Sequence, residues 1–241
     1  MTQIQSQSLS YSVDGVSFEG RLLFDAADPA PRPGLLMAPN WFGVSGGAEE
    51  LAGQVASRGY RVLLVDLYGT TVRPGNAAEA GAAMLPLKQD RALLRRRLLA
   101  ALEALRGQQS APMDAARLAA FGFCFGGTCA LELARAGAPL KAAVSFHGAL
   151  DTPDPADARN VRGAVLVLDG AQDPLVPREQ LPAFAREMSE AGVDWQLLSY
   201  GGAVHSFTDP AANNPGTSQY NAKVSRRAFA AMYALLDEVF A

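Results

Sequence analysis

Cysteine is almost missing from this chain: two occur in 241 residues, Cys124 and Cys129. That number is too small for a disulfide framework, and no CxxC pair of the zinc-binding kind exists. The two stand five apart where the sequence reads as turn then helix, so their side chains face different directions and no disulfide is expected. Histidine is as scarce, with only His147 and His205. An excess of one charge is also lacking. Twenty-one basic and 24 acidic side chains leave a net charge of -3 without a long run of either sign, so neither nucleic acid nor an anionic membrane is an expected partner. The one basic cluster, Arg95 to Arg97, sits among leucines in a helical pattern and reads as a solvated helix face. No apolar run approaches the ~20 residues of a membrane helix. The opening MTQIQSQSLSYSVDG lacks the basic start and apolar core of a secretory signal. The expectation is a soluble, cytoplasmic protein, a monomer or small homo-oligomer, with no cofactor and no metal.

Hydrophobic residues make up 49% of the chain, enough to build a sizeable core. The length suits a single α/β domain over residues 1–241. Apolar alternation in Ser8 to Val13 and Val16 to Phe24, separated by Asp14-Gly15, predicts an antiparallel hairpin at one edge. Short apolar runs then alternate with helical patterns. The runs are Gly34 to Ala38, Arg61 to Leu67, Leu118 to Phe123, Ala142 to Phe146, Ala164 to Leu168 and Asp194 to Tyr200. Helices are expected over Gly46 to Ser57, Lys88 to Leu105, Gly126 to Arg135, Arg178 to Ala191 and Tyr220 to Phe240. Continuous apolar character in the middle runs fits strands covered on both faces. Strand and helix in turn predict an α/β fold with a mostly parallel, doubly wound central sheet and an antiparallel N-terminal edge. Pro86 is expected to divide residues 77–105 into two helical pieces.

The sharpest local signal is Gly122-Phe123-Cys124-Phe125-Gly126-Gly127, between an apolar run and a helical pattern. It has the form Gly-x-nucleophile-x-Gly of the nucleophile elbow of α/β-hydrolases, a strand-turn-helix so tight that its central residue is strained. A side chain at Gly122 or Gly126 is expected to collide with a neighbouring strand or helix. The turn sets the nucleophile at a helix N-terminus, whose dipole favours a thiolate or a developing oxyanion. A buried structural cysteine in a glycine-rich turn is the competing reading of the string alone. Cys129, mid-helix beside Ala130 and Leu131, reads as core.

A nucleophilic cysteine needs a base, and the base an orienting acid. His205, on a loop before the final helix, stands where the chain order nucleophile, acid, histidine places the base. His147 ends a strand and reads either as a lining residue or as a satisfied structural histidine. The acid belongs on the loop after the preceding strand, which offers Asp169 and Asp173. Asp173, four residues beyond the strand end and followed by Pro174, is preferred, while Asp169 is expected to bond nearby backbone amides.

Taken together, the elbow, Gly170 to Pro177, Val204-His205-Ser206-Phe207, Asn40-Trp41-Phe42-Gly43 and Asp66-Leu67-Tyr68 resemble the dienelactone hydrolase family over residues 8–240. The resemblance implies an α/β-hydrolase fold, with Cys124 as nucleophile, Asp173 as orienting acid and His205 as base. It also implies an oxyanion hole from the backbone amides of Trp41 and Phe125. Two preorganised donors must in any case point where the carbonyl oxygen becomes negative.

The sequence departs from the family in two places. Asn40 replaces a glutamate that helps to generate the thiolate, so activation of Cys124 directly by His205 is expected, with Asn40 a hydrogen-bonding partner of the thiol or substrate. The stretches 76–84 and 206–211 lack the arginines that hold a substrate carboxylate, and Asp209 lies near where a cation would stand. Arg73 is the one cation a folded loop could bring in. With Trp41, Phe42, Phe125 and Phe207 expected nearby, and Asn40 and His147 as further contacts, the substrate expected is a small neutral ester or lactone. The competing classes are a non-catalytic small-molecule binder on the same fold and a thiol-based redox sensor.

Overall fold

The Asp14-Gly15 pair closes the predicted hairpin in the computed structural model, which describes residues 2–241. Both residues take left-handed backbone, φ 50° and 78°, as a two-residue turn matched to strand twist requires. The strands are longer than the alternation alone suggests. β1 (Ile4–Val13) and β2 (Val16–Asp25) pair antiparallel from Ile4 opposite Asp25 to Val13 opposite Val16.

The chain divides into two compact units, one ending at Ala120 and one running from Phe121 to Ala241. In the first, β3 (Arg32–Ala38) and β4 (Arg61–Leu64) pair parallel, and β2 pairs antiparallel with β4. The strand order is β1-β2-β4-β3, followed by β5 (Met113–Phe123), whose last residues belong to the second unit. Leu35, Leu36, Val62, Leu63 and Leu64 are fully buried, so the continuous apolar runs do mark strands with no solvated face. Helix α1 (Gly46–Ala56) starts at Ser45, whose hydroxyl accepts the Ala48 amide at 3.3 Å.

The expected break in residues 77–105 occurs, but not at Pro86. Helix α2 (Ala77–Gln89) carries Pro86 in its last turn, and α3 (Arg91–Gly107) begins at Asp90, whose carboxylate accepts the Leu93 amide at 2.8 Å. A proline so close to the helix end forfeits one backbone bond, whereas the Asp90 cap opens a new helix. The basic cluster on α3 is not simply a solvated face. Arg97 turns inward, donating to Leu67 O at 2.6 Å and lying 5.0 Å from the Phe18 ring centroid.

In the second unit β6 (Ala142–Phe146), β7 (Ala164–Gly170) and β8 (Trp195–Tyr200) follow the end of β5 in strand order and pair parallel. Helices α4 (Phe125–Arg135), α5 (Gln180–Glu190) and α6 (Ala222–Val239) alternate with them. The predicted α/β order, mostly parallel with an antiparallel N-terminal edge, is therefore the observed one. Leu131, Leu150, Val165, Val167, Phe184 and Met188 form one buried cluster of this unit. Beneath it Arg135 is fully buried, in a bidentate pair with Glu187 at 2.7 and 2.8 Å and a bond to Glu132 at 3.0 Å. Between β8 and α6, Asn213–Asn214 (β9) pairs with Ser218–Gln219 (β10). No helix among the described residues is long and apolar enough to cross a membrane.

Candidate active site

Cys124 stands between β5 and α4 with φ 55° and ψ -120°, a conformation that costs an L-residue of order 1–3 kcal/mol and persists only where surroundings enforce it. Here the enforcing bonds are visible. The Cys124 N–H is shared between Phe146 O at 3.0 Å and His147 Nδ1 at 3.2 Å, and Cys124 O accepts the Gly127 amide at 2.9 Å. The Phe125 amide is the first of α4, among those a helix leaves without an internal acceptor. A close approach of helix to strand is also required. A Cβ on Gly127 would lie 2.5 Å from Ser145 Oγ, and one on Gly148 would lie 2.7 Å from Thr128 N. The tight fit thus involves Gly148, a residue the sequence reading did not single out.

His205 and Asp173 meet in the same unit. His205 Nδ1 lies 2.8 Å from Asp173 Oδ2, with Asp173 buried on its loop after β7 and His205 6% exposed. The other Asp173 oxygen accepts the amides of Leu175 and Val176 at 2.8 and 3.3 Å. This turns the carboxylate into a fixed acceptor. The backbone of His205 is clamped by the residues around β10: its N–H donates to Thr217 O at 3.2 Å and its carbonyl accepts the Gln219 amide at 2.9 Å. Burial by itself would lower the imidazolium's pKa, but the Asp173 hydrogen bond and the nearby Cys124 outweigh it and push the value up to about 10. Nε2 is buried and makes no well-aligned hydrogen bond, and it stands close enough to Cys124 for thiol and imidazole to interact. The structure therefore brings Cys124, His205 and Asp173 together.

His147 lies at the centre of this arrangement rather than at its rim. It is buried, Nδ1 faces the Cys124 amide, and Nε2 lies 2.8 Å from Thr208 Oγ1. Burial, and then the charge of His205, hold its pKa well below the usual histidine value. Phe207 is fully buried behind it, edge to face with the His147 ring at 5.0 Å. Both ring nitrogens of His147 are thus taken within the protein, as the satisfied-histidine reading requires.

Asp169 departs from its expectation. It binds the Arg178 guanidinium in bidentate fashion at 2.9 and 3.0 Å and accepts from Ser199 Oγ at 2.6 Å, instead of bonding backbone amides. The strand end turns its carboxylate toward β8 and Arg178, which satisfy it more strongly than amides would. Asn40, Trp41 and Phe42 belong to the first unit, where they form a turn. Asn40 Oδ1 accepts the Phe42 amide at 3.0 Å, and Trp41 O accepts the Tyr68 hydroxyl at 2.8 Å. Arg73, also in the first unit, spends its guanidinium on Asp66 Oδ2 at 3.0 Å and on the carbonyls of Gly69, Val72 and Glu19.

The sequence reading missed Thr208 and Ser145. An isolated threonine after Phe207 has no local signature, and only its place opposite His147 gives it meaning. Neither cysteine takes part in a disulfide.

Comparison with known proteins follows the same lines. The model of the dienelactone hydrolase family matches residues 18–240. A probable 2-oxo-3-(5-oxofuran-2-ylidene)propanoate lactonase of Bradyrhizobium sp is 30% identical over 186 residues, covering 73% of each chain. Among solved structures, m3DLH is 42% identical with a TM-score of 0.93, covering 99% of both chains. The dienelactone hydrolase-like promiscuous phosphotriesterase P91, from metagenomic libraries, is 38% identical with a TM-score of 0.91, covering 98% of both. Both likenesses extend over nearly the whole α/β-hydrolase fold.

Proposed function

The chain belongs to the dienelactone hydrolase family and is a hydrolase, and from that premise we propose that it cleaves a small neutral carboxylic ester or lactone through Cys124, His205 and Asp173. The observation that carries this reading is the line from Asp173 Oδ2 to His205 Nδ1 at 2.8 Å, with Nε2 left for the thiol of a strained elbow residue. In the reaction, Cys124 Sγ attacks the carbonyl carbon and the thiol proton is held on His205 Nε2, while Asp173 accepts the hydrogen bond from Nδ1–H and stays ionised. The carbonyl π pair becomes an oxyanion at the Phe125 amide. Collapse of this intermediate expels the alkoxide, which takes the Nε2 proton and leaves an acyl-cysteine. His205 then removes a proton from water, the hydroxide attacks the acyl carbon, and the Cys124 sulfur departs with the bonding pair to release the acid.

Neutrality of the substrate is supported by the cations. Arg178, beside the Asp173 loop, is committed to Asp169 and to the carbonyls of Gly170 and Val176. Arg73 is likewise consumed within its own unit. Residues 206–211 hold no Lys or Arg. A binder without catalysis would gain nothing from a strained thiol, and Cys129, buried in α4, lies on the helix and not beside the elbow as a resolving thiol.

The test is a set of nitrophenyl esters and lactones with neutral or carboxylate-bearing acyl groups, assayed on wild type and Cys124→Ala. The expected result is turnover of the neutral members, none with Cys124→Ala, and an acyl adduct on Cys124 in the intact mass after brief exposure. Turnover retained by Cys124→Ala would overturn the triad, and preference for anionic acyl groups would overturn the substrate class. A nitrophenyl phosphate triester belongs in the same screen, because P91, a promiscuous phosphotriesterase, is 38% identical over 98% of the chain.

A further inference from the structure

We propose that His147, with its proton fixed on Nε2 by Thr208, is a positioning residue that helps to set the backbone of the nucleophile by sharing the Cys124 N–H with Phe146 O. The inference rests on Cys124 being the nucleophile and adds a residue that touches neither substrate nor the reacting atoms.

The tautomer follows from donor logic. A backbone amide only donates, so the 3.2 Å contact from Cys124 N leaves His147 Nδ1 as the acceptor, without a hydrogen. A neutral imidazole then carries its hydrogen on Nε2, and its partner there among the described residues is Thr208 Oγ1 at 2.8 Å, which must accept. A hydrogen on Nδ1, in the other tautomer or in the cation, would point at the Cys124 N–H and break the contact.

The ring is not free to turn away. His147 itself has left-handed backbone, φ 42°, and its N–H donates to Leu168 O at 2.8 Å. Phe207 packs edge to face against it at 5.0 Å, and Phe123 lies tilted at 6.2 Å. The titratable groups facing it are Cys124 on the elbow and His205, whose ring is 5.0 Å away with Asp173 behind it. A group bonded to the nucleophile's amide and packed against the base couples the positions of the two. Their separation governs proton transfer and attack, and a 1 Å error in such geometry costs about 10²-fold in rate.

Asparagine is the informative substitution. Its side-chain oxygen occupies the place of Nδ1, and it tolerates left-handed backbone better than most residues. His147→Asn keeps the side-chain acceptor, His147→Ala removes it and leaves the Cys124 N–H to Phe146 O alone, Thr208→Val removes the group that fixes the proton, and Thr208→Ser retains it. With a neutral nitrophenyl ester, His147→Ala and Thr208→Val are expected to lose about 10²-fold in kcat with KM nearly unchanged, as for an interaction felt in the transition state. Their pH profile of Cys124 alkylation should shift, and His147→Asn and Thr208→Ser should recover most of both. Wild-type kcat in His147→Ala, or equal impairment of both members of each pair, would overturn the inference. Should the His147 variants fail to fold, the Thr208 pair decides by the same criteria. Failure of the underlying reading is seen separately, as turnover retained by Cys124→Ala.

Discussion

His147 and His205 pack edge to face with ring centroids 5.0 Å apart, yet only His205 has a carboxylate partner, Asp173 at 2.8 Å. Two imidazolium rings at that separation repel, so the proton resides on the one with the acid. His147 serves as a neutral neighbour whose nitrogens are spent on Cys124 N and Thr208. In the proposed mechanism this division gives the acid–base role to His205 and the architectural role to His147.

Asp173→Asn tests the acid. An amide in place of the carboxylate removes one of the two groups, with Cys124 the other, that raise the His205 pKa to about 10. The expected loss in kcat is on the order of 10²–10⁴-fold, with the ring mis-oriented or in the wrong tautomer. In a pH profile of Cys124 alkylation the transition belonging to His205 should move downward. An unmoved profile would separate Asp173 from the base.

The two histidines should tilt stability in opposite directions with pH. The His205 pKa is raised in the fold, so its contribution is fully present below about 6.5, the unfolded value, and is lost as pH rises toward about 10. The His147 pKa is lowered, so its neutral form contributes above the unfolded value and the contribution is lost as pH falls below it. Thermal melts across pH should show a shallower alkaline decline in His205→Gln and a shallower acid decline in His147→Asn. Parallel curves for all three proteins would count against both assignments.

Gly127→Ala should destabilise by about 1–3 kcal/mol, an overpacking cost, because the new methyl would meet Ser145 Oγ at 2.5 Å and Phe146 O at 3.1 Å. Ser145→Ala removes the first of these clashes and leaves the backbone ones, Phe146 O and Gly148 Cα at 3.0 Å. Urea unfolding of the double variant should therefore recover part of the loss, a coupling that non-contacting sites would not show.

Arg135→Met removes the cation that Glu132 and Glu187 share in a buried network. Breaking a buried ion pair from one side costs about 3–5 kcal/mol, so urea unfolding should show a loss of that order. Replacing Glu132 and Glu187 by Gln in the same background should return much of it. The network is remote from the elbow in chemistry, so kcat of the folded fraction is expected to stay near wild type.

Much of this fold is legible in the sequence. Asp14-Gly15 named the hairpin because a two-residue turn needs left-handed backbone at both positions, and few residue pairs supply it. The elbow was equally local, since strand, glycine-flanked nucleophile and helix follow one another within the chain. Asp173 was separable from Asp169 by its distance past the strand end, though the partners of Asp169 were not, because Arg178 and Ser199 enter from other segments. Pro86 misplaced the helix break because a proline's cost depends on how near the helix end it falls.

The amino-acid sequence by itself determined the order of strands and helices, the strained turn at Cys124, and the chain order of Cys124, Asp173 and His205. Each rests on residues adjacent in the chain or on the period of apolar side chains. The partners of His147 were decided only by the tertiary structure. Its bond to Thr208 spans 61 positions and its bond to Cys124 spans 23, and hydrogen bonds across such distances have no signature in a linear pattern. They exist because the strand ends and the following loops place a donor or an acceptor at each side of one buried ring.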